Sequence, residues 1–278
     1  NLPLGLALLA LMGIGPVIAW RKASRRNLIK NFVTPTMVGV TVALSFYFGG
    51  VRQGLPLVTF GLSAFVLTII VVEFVKGTKA RARIEGEGHF VAFLHLIGRN
   101  RRRWGGYIVH VGVVLVFTAF AGAAFDRELI QTLKPGESMT IESPLGHEYK
   151  LTYQGLSSSR GNNLAAKTTA LMAISENGEP VGTMTAEKRL YLTWEAPVTE
   201  VGIHSKFLED LYLILESVSD LNGAFLNDPE AQQATFEVQV NILVGWIWYG
   251  GFVITLGGLI TMWPSRGSPK KSDAQSPS

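Results

Sequence analysis

Apolar positions in this chain gather into long uninterrupted runs instead of recurring at the helical or strand period of a water-soluble core. Five runs contain no Asp, Glu, Lys or Arg: 2–20, 32–51, 55–72, 105–125 and 240–263, of 19, 20, 18, 21 and 24 residues. About 20 apolar residues cover the roughly 30 Å hydrocarbon core as a helix, so the pattern predicts five transmembrane helices. Phe74 and Val75 extend the third run past Glu73, whose carboxylate is placed to reach the headgroups or pair with Lys76.

The stretch between runs four and five changes period. Short Thr, Val, Tyr and Leu-rich segments alternate with Gly, Pro and Asn, which predicts strands at 139–143, 148–154, 167–175, 181–187, 198–203, 211–216 and 236–240. Asn177-Gly178 between two of them suits the positive φ values of a type I′ hairpin. Seven short strands predict a small barrel or sandwich. The expected fold is therefore a polytopic α-helical membrane protein with a β-rich domain inserted between helices 4 and 5. Its predicted divisions are helices 1–4 over 1–125, the β domain over 126–239, helix 5 over 240–263, and a disordered tail over 264–278 rich in Ser, Pro and Lys.

Charge supplies an orientation. Of 25 Lys and Arg residues, 16 fall in segments 21–30, 76–104 and the tail after Trp263. The positive-inside rule makes these cytoplasmic and leaves the β domain on the outer side of the membrane. That domain carries eight basic against seventeen acidic residues, a net −9. This balance reads either as ordinary solubility or as an acidic face that steers a basic polypeptide. Within 76–104, Phe90, Phe93, Leu94 and Ile97 recur at helical spacing before a run of arginines, predicting an amphipathic interfacial helix over about 88–98. The chain opens at Asn1 on an apolar run with no basic n-region, which reads as a fragment or one piece of a split subunit rather than a secretory signal.

Candidate chemistry is sparse. Cysteine is absent, so disulfides, thiolate metal sites and thiol nucleophiles are excluded. P-loop, GxGxxG, HExxH and GxSxG patterns are absent too, and no nucleic-acid partner is expected. His89 and His95, six apart, do not share a helical face and make a poor metal pair. His110 stands out as the only ionisable residue of its class inside run four, about five residues from the basic end. A neutral imidazole in an apolar bundle is suited to axial ligation of heme iron. Gly106 and Tyr107, four and three residues earlier, share its face. There Gly lets a flat ring approach the backbone, and Tyr can stack or donate a hydrogen bond. The alternative is a histidine hydrogen-bonded to a neighbouring helix. Met12, Met37 and Met262 are the only other soft ligands in the runs, and nothing singles them out as a second axial ligand.

The segment Arg101-Arg102-Arg103-Trp104-Gly105-Gly106-Tyr107-Ile108-Val109-His110-Val111-Gly112 resembles the hallmark of the CcmF family of cytochrome c maturation proteins, the heme lyase membrane subunits of the System I pathway. Gly15-Pro16 with Trp20-Arg21, Thr199-Glu200-Val201-Gly202-Ile203 with Asp210-Leu211-Tyr212, and Val240-Asn241 with Trp246-Ile247-Trp248-Tyr249-Gly250-Gly251 agree in order and spacing. The resemblance implies a C-terminal part of such a protein, with His110 as one of two transmembrane histidines ligating a b-type heme and the other upstream. It also implies partners: apocytochrome c, a periplasmic heme chaperone, a thiol-handling subunit of the heme lyase complex, and quinol as reductant. Heme propionates are then candidates to pair with Arg101, Arg102 and Arg103, although positive-inside topology explains those arginines as well. The family's tryptophan-rich WWD segment and its flanking external histidines have no counterpart here. Trp246 and Trp248 are not that motif, and catalysis by this piece alone is not expected. A non-catalytic membrane scaffold whose β domain recruits partners is the alternative function.

Overall fold

The computed structural model describes residues 2–17, 25–161, 164–193, 196–218 and 232–264. Trp20-Arg21 and the tail from 265 onward lie outside them. Two compact units are present, one formed by residues 1–117 with 248–278 and the other by residues 118–247.

The helical unit is built on the apolar runs: α1 (Leu2–Val17), α2 (Arg25–Phe48), α3 (Gly54–Glu85), α4 (His89–Arg99), α5 (Arg101–Gly122) and α6 (Trp246–Met262). Three of them, α2, α3 and α5, contain spans long and apolar enough to cross a membrane, whereas α1 and α6 are shorter apolar helices. The fifth run begins later than its hydropathy suggests. Residues 240–242 close a strand, and the helix starts only at Trp246. Alternation of buried and half-buried positions along Ala234–Ile242 accounts for the difference, because apolar residues at period two serve a sheet as well as a span.

The predicted interfacial helix is α4, with its apolar stripe divided between two faces. Ala92 is buried, Phe93 lies 5.4 Å from Phe74 of α3 between ring centroids, and Leu96 and Ile97 pack on the helical core, while Phe90 and Leu94 point outward. Glu73 pairs not with Lys76 but with Arg103, at 2.7 Å, and Lys76 donates to Asn31 Oδ1 at 2.9 Å. One guanidinium nitrogen from the neighbouring helix reaches the carboxylate, while the ammonium three residues along is taken by Asn31.

Helices α5 and α6 approach through glycines. A Cβ placed on Gly112 would lie 2.7 Å from both the Gly250 carbonyl oxygen and the Ile254 nitrogen, and one on Gly257 would lie 2.7 Å from the Val109 nitrogen and 2.9 Å from the Gly105 oxygen. These glycines are seven apart on each helix and run in opposite senses, so backbone meets backbone along two turns.

The second unit is a β-sandwich. Strands β1 (Arg127–Leu133), β2 (Ser138–Glu142), β3 (Glu148–Gly161), β4 (Leu164–Glu176), β5 (Glu179–Tyr191), β6 (Val198–Glu200), β7 (Gly202–Ser205), β8 (Glu209–Val218) and β9 (Ala234–Ile242) form two antiparallel sheets. Their orders are β1-β9-β8-β7 and β2-β3-β4-β5-β6, and side chains from both sheets share one core, with Tyr149, Tyr153 and Phe236 fully buried. The barrel alternative falls, since neither sheet closes. The single predicted strand 198–203 is two short strands in different sheets, split at Val201. Strand β1, mostly exposed, was not predicted. The hairpin forms at Asn177-Gly178, with φ of 50° and 85°. Asp126 Oδ1 accepts the Ile242 N–H at 2.8 Å, joining the first and last residues of the strand region.

Gly112→Val should lower the thermal stability of the detergent-solubilised chain by about 1–3 kcal/mol or more, because backbone cannot yield to the new methyl groups. Gly106→Ala should cost nothing in the same melts, since nothing outside its own stretch of helix lies within 4 Å of its Cβ position.

Candidate functional site

His110 lies on α5, half-buried, and its Nδ1 atom is fully buried with no hydrogen-bond partner among the described residues. The alternative of a histidine hydrogen-bonded to a neighbouring helix is therefore not seen at that nitrogen. An unpartnered polar atom in an apolar bundle costs about 1–3 kcal/mol, and such a cost is usually offset by a ligand or water. Gly106, one turn before it, faces open space. The two therefore leave a strip of α5 where a flat group can lie against backbone.

Rotation of α5 is fixed on both sides of this strip. Glycines 105 and 112 press on α6. Trp104 and Tyr107 turn toward α3, where Phe74 sits 4.8 Å from the Trp104 ring and 6.0 Å from that of Tyr107. Tyr107 is thus a packing residue of the helical core, its ring under the Arg103 guanidinium at 5.8 Å. The three arginines divide: Arg103 serves Glu73, Arg101 donates to the Pro264 carbonyl at 2.7 Å, and Arg102 is exposed. Met37 and Met262 are strongly exposed. His95 Nδ1 meets Glu87 at 2.9 Å, and no group of three or more metal-ligating side chains occurs among the described residues.

A second polar constellation escaped the sequence reading. The Glu209 carboxylate, almost fully buried on β8, is bonded by Ser143 Oγ and by His147 Nδ1 at 2.5 Å, both from the β2–β3 turn, and by Tyr149 Oη of β3 at 2.7 Å, so all three come from the hairpin of the opposite sheet. Burial pushes Glu209 upward, but the three hydrogen bonds outweigh it and hold the carboxyl below its ordinary value. Burial, then the bond to Glu209, raises the Tyr149 phenol, keeping it a donor. Ser143 faces the carboxylate and not the imidazole, so the trio lacks the serine-to-histidine contact of a nucleophilic triad. It clamps the two sheets instead. Contacts 60 to 66 residues apart carry no local spacing signal, although a His beside a Ser-Pro-Leu-Gly turn could have drawn notice.

Residues 124–228 match the family model described as the CcmF C-terminal beta-sandwich. The chain is 27% identical over 263 residues to the cytochrome c-type biogenesis protein CcmF of Pseudomonas aeruginosa, covering 93% of this chain and 36% of that protein. It is 25% identical over 260 residues to the CcmF of Escherichia coli, covering 92% and 35%. A solved structure described as cytochrome c heme lyase CcmF superposes with a TM-score of 0.71 at 23% identity, covering 95% of this chain and 39% of that one, and so shares its fold. The chain spans little over a third of the length of these curated relatives. It resembles the C-terminal part of a CcmF protein.

The Glu209 clamp should make the β unit acid-sensitive. A depressed folded-state value contributes stability that is fully present above the ordinary carboxylate range, near pH 4.5, and lost as pH falls through the lowered value. Glu209→Ala strands the buried donors of Ser143 and Tyr149 and frees the half-exposed His147, and should cost roughly 2–4 kcal/mol. Its acid-unfolding profile, followed by near-ultraviolet circular dichroism, should lose the slope that the parent shows below that range.

Proposed function

We propose that this chain, as the counterpart of the C-terminal part of CcmF, contributes a histidine ligand to a b-type heme within a cytochrome c heme lyase. The observation that supports this most is the buried, unpartnered Nδ1 of His110 beside the open Gly106. No described residue takes the Nδ1 hydrogen bond, and Gly106 leaves room for a planar macrocycle against α5. His110 would hold the iron through a ring nitrogen, neutral and oriented by a helix whose rotation Trp104, Gly105, Tyr107 and Gly112 set. When bound, such a heme supplies one-electron reduction, which favours the ferrous state needed to join a heme vinyl to a substrate thiol.

The rest of the chain serves that site. Apolar helices exclude water from the imidazole. The positive charge at 76–104 holds the basic end of α5 at the cytoplasmic face, which leaves the acidic sandwich in the periplasm. Its net −9 suits long-range attraction of a basic apocytochrome c. A heme chaperone, a thiol-handling subunit and quinol complete the reading as partners. The second axial ligand and the residues that hold substrate heme would belong to the part of the relatives' length that this chain does not cover.

In a CcmF-length protein containing this chain, the reduced-minus-oxidised absorption spectrum should show a low-spin b-type signal that His110→Ala abolishes or converts to high spin. Survival of the unaltered signal in the variant would reduce His110 to a packing residue.

A further inference from the structure

Helix α3 has 32 residues, about 48 Å at 1.5 Å each, and so outruns a hydrocarbon core of roughly 30 Å. Its excess is the basic end, with Lys76, Lys79, Arg81 and Arg83, and this places the turn into α4 at headgroup depth. One face of α4 is packed on α3. The opposite face presents Phe90 at 75% exposure, Val91 at 44% and Leu94 at 51%, left open by the described residues.

Leu94 leads from that face into a cleft of about 500 Å³, lined also by Arg81, Glu85, Glu87, Arg99 and Arg101. The acids are partly spent. Glu87 takes both bonds from Arg81, at 3.2 and 3.3 Å, and one from His95. Glu85 holds Arg99 loosely at 3.8 Å, and among the described residues no carboxylate pairs with Arg101, whose bond goes to the neutral Pro264 carbonyl. Arg101 therefore offers uncompensated charge, and Arg99, held only at 3.8 Å, offers further donors, at one end of an apolar strip. That is the chemistry of an anion joined to a hydrocarbon chain.

We propose that this cleft is a binding site for an anionic phospholipid, with the headgroup phosphate on Arg99 and Arg101 and an acyl chain along Phe90 and Leu94. The site rests on the membrane-spanning reading and is independent of the heme. A free phosphate would use the same guanidinium groups but not the apolar strip, so the two sources can be separated.

The chain is reconstituted in nanodiscs of equimolar phosphatidylglycerol and phosphatidylcholine, and co-purifying lipid is counted by native mass spectrometry. Phosphatidylglycerol should be retained over phosphatidylcholine. Its retention should fall about fivefold for each arginine removed in Arg99→Gln and Arg101→Gln, the equivalent of roughly 1 kcal/mol per charge. Phe90→Ser with Leu94→Ser, both on the exposed face and harmless to the core, should also release it, and added inorganic phosphate should not. Equal retention of the two lipids, or phosphatidylglycerol retention untouched by either pair of substitutions, would overturn the proposal. So would displacement by inorganic phosphate with no effect of the apolar pair, which would mark a free-phosphate site.

Discussion

The rotational setting of α5 is the constraint on which the helical unit depends. Glycines on one side bring its backbone against α6, and Trp104 and Tyr107 on another side fill the space beside Phe74 of α3. Between these contacts lies the strip holding Gly106 and His110. The same packing that stabilises the helix leaves the buried Nδ1 of His110 without a hydrogen-bond partner among the described residues. The site is what remains of the helix surface when both neighbours have been seated.

The β unit is held by a different balance. Its core is apolar and shared by both sheets, yet a buried carboxylate bridges them through three hydrogen bonds. An isolated ion there would be costly, and the donors from Ser143, His147 and Tyr149 offset that cost while fixing how the sheets register. The clamp makes the sandwich specific as well as stable. A domain of net charge −9 gains from that rigidity, because net charge by itself favours expansion.

Much of this was legible in the residues. Uncharged length marks an apolar helix, and His110 was visible because no other His, Asp, Glu, Lys or Arg lies in its run. The hairpin at Asn177-Gly178 follows from two residues that tolerate positive φ. Other features depended on partners distant in the chain. The start of α6 was misplaced because residues 240–242 satisfy both a strand and a span, and only pairing with β8 and β1 decides between them. Glu73 was assigned its nearest cation when Arg103, 30 residues away, has the better geometry. Tyr107 shares a helical face with His110, but the aromatic cluster on α3 claims its ring, and the Glu209 clamp has no local signature at all.

Chemical rescue tests the role of His110 most directly. In a CcmF-length protein containing this chain, His110→Gly keeps the helix and opens a cavity the size of an imidazole, and free imidazole is then titrated while the ferric and ferrous heme spectra are recorded. A low-spin b-type spectrum that disappears in the variant and returns with imidazole would identify the side chain as an iron ligand. A spectrum that persists without imidazole would contradict the account, and so would one that imidazole leaves unrestored in a protein still folded and still holding heme.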